Sequence, residues 1–232
     1  MSNDTAILIF GRHAAIEAQH KLSARPLTKG AQRLCRVLLQ QTRRTAKAAG
    51  LPVVWVSSSE QQGSSFGERL CHALDQVWSQ GYSRVLLVGT DTPDLSARLL
   101  RQAADTLQQG QAVLGAAKDG GIYLMGLQRG QYCPKALAAL PWEQATLFRA
   151  LHHYLVQTQQ PTAVLAPVLG DVDNWDDVHQ WVDQLGPSRL RLFLKQCTQC
   201  PAPSCAMTSA RPVHSTTLCL LPCNRPPPTV AA

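Results

Sequence analysis

The chain has 232 residues, 45% of them hydrophobic, which is enough to bury a sizeable core in one α/β domain carrying an appendage. Its formal net charge of +7 divides unevenly: all 15 Asp and Glu, and 17 of the 22 Lys and Arg, precede Pro187, so that body carries only +2, which suits an enzyme and argues against a nucleic-acid partner. No apolar run approaches a membrane span and Met1–Thr5 lacks a signal peptide's basic start, so a soluble, cytoplasmic protein is expected.

Ala6–Phe10 (AILIF) reads as a first buried strand, ended by Gly11. Arg12, His13 and a polar loop at Glu17–Lys21 (EAQHK) follow, a generic layout for holding phosphate but one with a single glycine and no Walker or Rossmann spacing. A helix is expected from about Ala31 to Ala49, with Leu34, Val37, Leu38, Gln41 and Thr45 on one face, ended by Gly50 and Pro52. Its other face, with Arg33, Arg36, Arg43, Arg44 and Lys47, reads as solvated, with an anion-binding groove as the lesser alternative. Val53–Val56 (VVWV) is a second strand.

Glu60–Leu70 (EQQGSSFGERL) leads into an amphipathic helix bearing Leu70, Leu74, Val77 and Trp78. Gly63 and Glu68 stand where a helix start could receive a ligand's polar edge; a surface turn with Glu68 favourably placed at the helix start explains them as well.

The next run, Val85–Leu95 (VLLVGTDTPDL), is the stretch the rest is arranged around. A strand apolar on both faces belongs to a parallel or mixed sheet covered by helices, and it must stop at Gly89, because Pro93 lacks a donor and Asp and Thr favour turns. Asp91 and Asp94 therefore stand at the carboxyl end of a buried strand, where open α/β sheets bind ligands. Asp91, right at the strand end, is expected to hold a metal or substrate, whereas Asp94 suits a ligand role or a helix cap equally.

Leu99, Leu100, Ala103 and Leu107 continue as a helix. Two strand-like runs, Ala112–Ala116 and Ile122–Leu127, flank Asp119-Gly120-Gly121, a hairpin signal that would also let backbone approach a ligand closely. Trp142–Thr158 reads as helical, and Ala163–Leu165 as a last strand. In Gly170–Val178 (GDVDNWDDV), Asp176 and Asp177 fit a helix's first turn, where the dipole favours carboxylates. That explanation does not reach Asp171 and Asp173, which become the candidates for a second acidic contribution beside Asp91.

Strands alternating with helices make a three-layer α/β/α sandwich over residues 1–190. The periodicity then vanishes. Cys35, Cys71 and Cys133 are spaced as reduced thiols, while the other five cysteines crowd between Cys197 and Cys223 in a proline-rich stretch, 191–232, read as an unstructured appendage. Those five thiolates could hold zinc, but their spacing matches no standard finger.

The blocks IFGR (Ile9–Arg12), QQGSSFGERL, VLLVGTDTPDL, VLGAAKDGGIYLMGL and DVDNWDDV, in that order, resemble the domain-of-unknown-function 2064 family of bacterial GT-A-like proteins. That family is similar in turn to 2-phospholactate guanylyltransferase and molybdenum cofactor guanylyltransferase. The resemblance implies a nucleotide-diphospho-sugar transferase (GT-A) fold with a mostly parallel mixed sheet. It also implies a Mg²⁺ or Mn²⁺ ion held by Asp91 and Asp173 as catalytic and metal-binding residues. A nucleotide or nucleotide-sugar donor would be contacted by Arg12, Lys21, Gly63, Glu68, Asp94, Asp119, Gly120 and Gly121, and the group transferred to an unspecified acceptor would be glycosyl or nucleotidyl. Many family members carry Pro-Gly and Lys-Thr-Arg-Leu in the first loop, where this chain has HAAIEAQHKL. A binding module that holds nucleotide or sugar phosphate without turnover is the alternative function.

Overall fold

In the computed structural model, which describes residues 4–22, 29–184, 191–192 and 195–196, the buried apolar runs become the strands of one sheet. These are β1 (Thr5–Phe10), β2 (Val53–Val56), β3 (Arg84–Val88), β4 (Ala112–Ala116), β5 (Ile122–Gln128) and β6 (Thr162–Val164), in the order β2-β1-β3-β5-β4-β6. β5 alone runs antiparallel to its neighbours, pairing Leu87 with Met125 on one side and Leu114 with Met125 on the other. The remaining pairings are parallel. Every residue of β1 is buried, as a strand covered on both faces requires.

Alternate strand residues feed two cores. On one face Leu8, Leu87, Leu114 and Met125 pack against α3 (Phe66–Ser79), α5 (Pro134–Ala138) and α6 (Leu147–Gln157). On the other, Ile7, Ile9, Leu86 and Leu124 meet α4 (Ala97–Gln108) and the C-terminal half of α2 (Lys29–Ala48). The expected three-layer α/β/α sandwich is the observed architecture. A third core joins α1 (Ala14–Lys21), the N-terminal half of α2 and α7 (Trp175–Gln184) through Ala18, Leu34, Cys35, Leu38, Trp175 and Val178.

Three expectations change. Glu17–Lys21 is not a polar loop but the larger part of the helix α1, whose single strong cue is the Glu17–Lys21 pair, one turn apart on one face. The buried stripe of α2 is Ala31, Leu34, Cys35, Leu38, Thr42 and Ala46, turned from the expected one because the helix is covered on two sides by different partners. The helical reading of Trp142–Thr158 shortens to α6, and α5 forms where no helix was expected. The stretch expected to be unstructured, with its five cysteines, lies outside the described residues apart from 191–192 and 195–196. Among the described residues no helix is long and apolar enough to cross a membrane.

Candidate functional site

β1 and β3 run parallel and end side by side, so Gly11 and the turn after Val88 form the floor of a cleft. Gly11 has to be glycine: a Cβ there would lie 2.8 Å from Thr90 Cγ2. At Gly89 a Cβ would stand 2.8 Å from Asp91 Oδ1, so a side chain there would push that carboxylate aside. The cleft measures about 530 Å³, a size that accepts a small organic ligand.

Asp91 is joined there by the segment before α7. The Val172 N–H donates to the Asp91 carbonyl at 2.9 Å, and Thr92 Oγ1 donates to Asp171 Oδ1 at 2.6 Å. The segment is also fixed from its helix end. Asp177 Oδ2 accepts from the Asp173 and Asn174 N–H groups at 2.9 and 3.1 Å, and Asn174 Oδ1 accepts from those of Asp176 and Asp177. Asp177 is thus explained by capping. Asp173 is left free of that duty and faces Asp91.

One cation sits between them. Lys21 Nζ is ion-paired with Asp91 Oδ2, with Asp173 Oδ1 at 2.5 Å and with Glu17 Oε1 at 3.5 Å, and only 16% of its side chain is exposed. Burial alone would lower the Lys21 pKa, but Asp91, Asp173 and Glu17 together overturn that and hold it well above the ordinary lysine value. Nearby, burial first and Glu17 second push the Cys35 thiol up to about 12, which keeps it a neutral core group.

Asp171 is the odd member. Burial, then the charge of Asp91, raise its carboxyl to about 7 against the donation from Thr92. The folded state therefore holds a proton that the unfolded chain has released, and stability falls as pH rises from the ordinary carboxylate range to about 7. Asp171→Asn keeps the acceptor for Thr92 and removes the titration. In chelator-treated protein the variant should gain roughly 1–2 kcal/mol over the parent between about pH 5 and about pH 8, read from denaturant midpoints. An advantage that does not change with pH would show that Asp171 is ionised throughout.

The remaining expected residues divide. Arg12 lines the cleft and bridges it, reaching Glu143 Oε1 at 3.1 Å and Glu17 Oε2 at 3.7 Å. Asp119 and Gly121 also line it, with Asp119 Oδ1 accepting from the Gly121 N–H at 2.8 Å. Gly120 instead lies against Ala145, whose carbonyl oxygen would be 2.0 Å from any Cβ. Neither Gly63 nor Glu68 reaches the cleft. Glu68 closes a capping box with Ser65 and accepts from Ser64 N–H at 2.8 Å, so the turn explanation accounts for it. Asp94 is exposed, and Ser96 is the cap of α4.

The structure adds residues that the sequence does not reveal. Phe66 and Trp142 meet with ring centroids 5.5 Å apart, and Trp142 Nε1 is fixed on the Leu137 carbonyl at 2.8 Å, giving the cleft one aromatic wall. Arg69 and Glu143 line it too, the latter in left-handed backbone at φ 61°. Glu17 could have been found from its spacing to Lys21; Trp142 and Glu143 arrive through tertiary folding alone. Among the described residues no group of three or more His, Cys, Asp or Glu is arranged to enclose a metal ion.

The model of the family described as uncharacterised proteins conserved in bacteria, domain of unknown function 2064, matches residues 26–144, just over half of the chain. The chain belongs to this family. Its match ends just beyond Trp142 and Glu143, so the Asp91 turn and the hairpin fall inside it and Asp171–Asp173 do not. No curated protein matches the chain. A crystal structure of a protein assigned as a nucleotide-diphospho-sugar transferase from Desulfovibrio desulfuricans G20 superposes with a TM-score of 0.71 at 22% identity, covering 83% of this chain and 94% of that one. The manganese complex of Rv0371C from Mycobacterium tuberculosis H37Rv gives 0.47 at 17% identity, over 78% and 99%. CMP:2-keto-3-deoxy-manno-octonic acid synthetase complexed with CTP gives 0.41 at 12%, over 83% and 98%. The first likeness shows that this chain shares the fold of that structure.

Proposed function

We propose that this family member is a metal-dependent transferase that takes a nucleotide-activated donor into the cleft above β1 and β3 and moves a glycosyl or nucleotidyl group to an acceptor. The observation that carries the reading is the convergence of Asp91 and Asp173, 82 positions apart in sequence, on one cation at the carboxyl edge of the sheet. Hard carboxylate oxygens suit Mg²⁺ or Mn²⁺. Such ions usually take only one or two carboxylates and complete their shell with water and substrate phosphate, so two ligands without an all-protein cage fit the group. When bound, the ion would supply neutralisation of the charge on the donor's phosphate oxygens.

The chain's own residues do the rest. Arg12, Lys21 and Arg69 offer cations toward a phosphate chain in the cleft. Phe66 and Trp142 give an apolar face against which a ring can lie, while Asp119 offers its free acceptor capacity to hydroxyl groups. Group transfer of this kind depends on positioning and on stabilising charge, so no activated Ser, Cys or His is needed.

Incubation with each nucleoside triphosphate and a panel of nucleotide sugars, in Mg²⁺ and in Mn²⁺, is expected to release pyrophosphate or nucleoside diphosphate from one donor class. Metal-dependent donor binding in calorimetry with no release from any donor would leave the binding-module function instead. Neither binding nor release would remove both.

A further inference from the structure

We propose that the Lys21 ammonium is the resident counter-ion of the carboxylate pair, that a divalent ion has to displace it, and that the displaced ammonium then serves the donor's phosphates. The inference rests on the reading of Asp91 and Asp173 as the metal-binding pair, and it concerns how that pair is kept in register and loaded.

Four carboxylates, Glu17, Asp91, Asp171 and Asp173, surround this corner of the cleft. Arg12 reaches only Glu17, at 3.7 Å, and turns its other nitrogen to Glu143. Among the described residues Lys21 is therefore the cation paired with Asp91 and Asp173, and its ammonium is ion-paired with three carboxylates in all. Without that charge Asp91 and Asp173 would repel one another across a segment that the Val172 N–H and Thr92 Oγ1 still tie to the turn. A divalent ion needs those same oxygens. Two cations cannot share them, because at such separations their mutual repulsion in a half-buried site is large.

Lys21 is suited to leaving. An ammonium is a compact point charge on a flexible four-carbon stem, and Lys21 is the last residue of α1, lining the same cleft as Arg12 and Arg69. The stem can swing without unwinding the helix. Displacement moves the positive charge from the carboxylates to the place where a phosphate chain would lie, so metal entry and phosphate binding are coupled in one direction. The metal's apparent affinity is reduced by the fraction of molecules in which Lys21 holds the pair.

The consequence is a reversal of sign. In Lys21→Met the carboxylates have lost their competitor, so Mn²⁺ alone, titrated by electron paramagnetic resonance, should bind about tenfold more tightly than to the parent. Pyrophosphate added with saturating Mn²⁺ should bind about tenfold more weakly, because the displaced ammonium is gone. Lys21→Arg, which keeps a cation, should restore weak Mn²⁺ binding. A merely structural role for Lys21 would weaken both ligands together, and that result overturns the proposal. Should Lys21→Met fail to fold, the parent protein still decides. Acylation of the Lys21 amine, followed by peptide mass spectrometry, should be slow in metal-free protein and rise on saturation with Mn²⁺. Bound Mn²⁺ with unchanged acylation of Lys21 overturns the exchange while leaving the metal site standing. Absence of Mn²⁺ binding in the parent and in Lys21→Met alike, with and without pyrophosphate, overturns the metal-binding reading itself, and the exchange with it.

Discussion

Asp91→Asn is expected to abolish the stabilisation that Mn²⁺ plus donor confers, and to lower turnover by about a hundredfold or more, while moving the stability of the ligand-free protein by only about 1 kcal/mol. Asn keeps the size of Asp and can still accept, but it lacks the negative charge that a divalent ion requires. Sequence reasoning alone, finding a carboxylate at a strand end with no visible partner, expects its removal to be neutral or slightly stabilising. Lys21 changes that. Asp91 is compensated in the ligand-free protein, so its replacement loses an ion pair and gains relief from Asp171 and Asp173, two effects of opposite sign. The backbone tie from Val172 N–H to the Asp91 carbonyl survives the substitution, which keeps the segment in place. Asp173→Asn should behave alike. Asp177→Asn should not, because that carboxylate serves the Asp173 and Asn174 N–H groups at the start of α7. Thermal melting of the parent and the three variants, with and without Mn²⁺ and the donor found by the product screen, separates the cases. A ligand-induced shift that survives intact in Asp91→Asn would remove the centre of the proposed function.

The Asp91 turn was legible because two constraints agree there. A strand apolar on both faces has to end where Pro93 and two acidic residues follow, and the end of such a strand in an α/β sheet is a ligand edge. Subtraction left Asp171 and Asp173 together, since the dipole explains Asp176 and Asp177 but does not reach back past Asn174, and it was the family resemblance that implied Asp173. α1 was hidden for the opposite reason. AAIEAQHK has little amphipathic contrast, and what stabilises it is contact with α2 and α7, which no local pattern records. Reading it as a loop also hid Glu17, because only a helix brings residues 17 and 21 together. Gly63 and Glu68 went the other way. A ligand-binding start and a capped start draw on the same residue types, and the Ser65–Glu68 box took the groups a ligand would need.

Gly120, between the cleft-lining Asp119 and Gly121, presents the same ambiguity, and its resolution predicts a large loss of stability. A glycine beside a ligand and a glycine beside another backbone look alike in sequence, but they respond differently to a methyl group. Gly120 has φ +89°, and an added Cβ would fall 2.0 Å from the Ala145 carbonyl oxygen and 2.8 Å from its carbon. Neither neighbour is the end of a flexible side chain. The Gly120 carbonyl also accepts from the Phe148 N–H at 3.0 Å, so the hairpin cannot simply retreat from the start of α6. Gly120→Ala should therefore combine the left-handed strain of about 1–2 kcal/mol with a displaced backbone, for a total of roughly 3 kcal/mol or more. In a chain of this size that corresponds to a fall in Tm of about 6–12 °C. Two glycines divide the effect into its parts. Gly50 has φ +81° with nothing near it, so Gly50→Ala should report the strain alone. At Gly121 a Cβ would meet Asp119 Oδ1 at 3.1 Å, a movable side-chain atom, and Gly121→Ala should cost less than about 1 kcal/mol. Denaturant unfolding of the three variants tests the order. If Gly120→Ala unfolds with the parent and only ligand binding suffers, Gly120 is a ligand-approach glycine after all; if it unfolds first by a wide margin, it is the glycine that lets the hairpin pack against the Ala145 backbone.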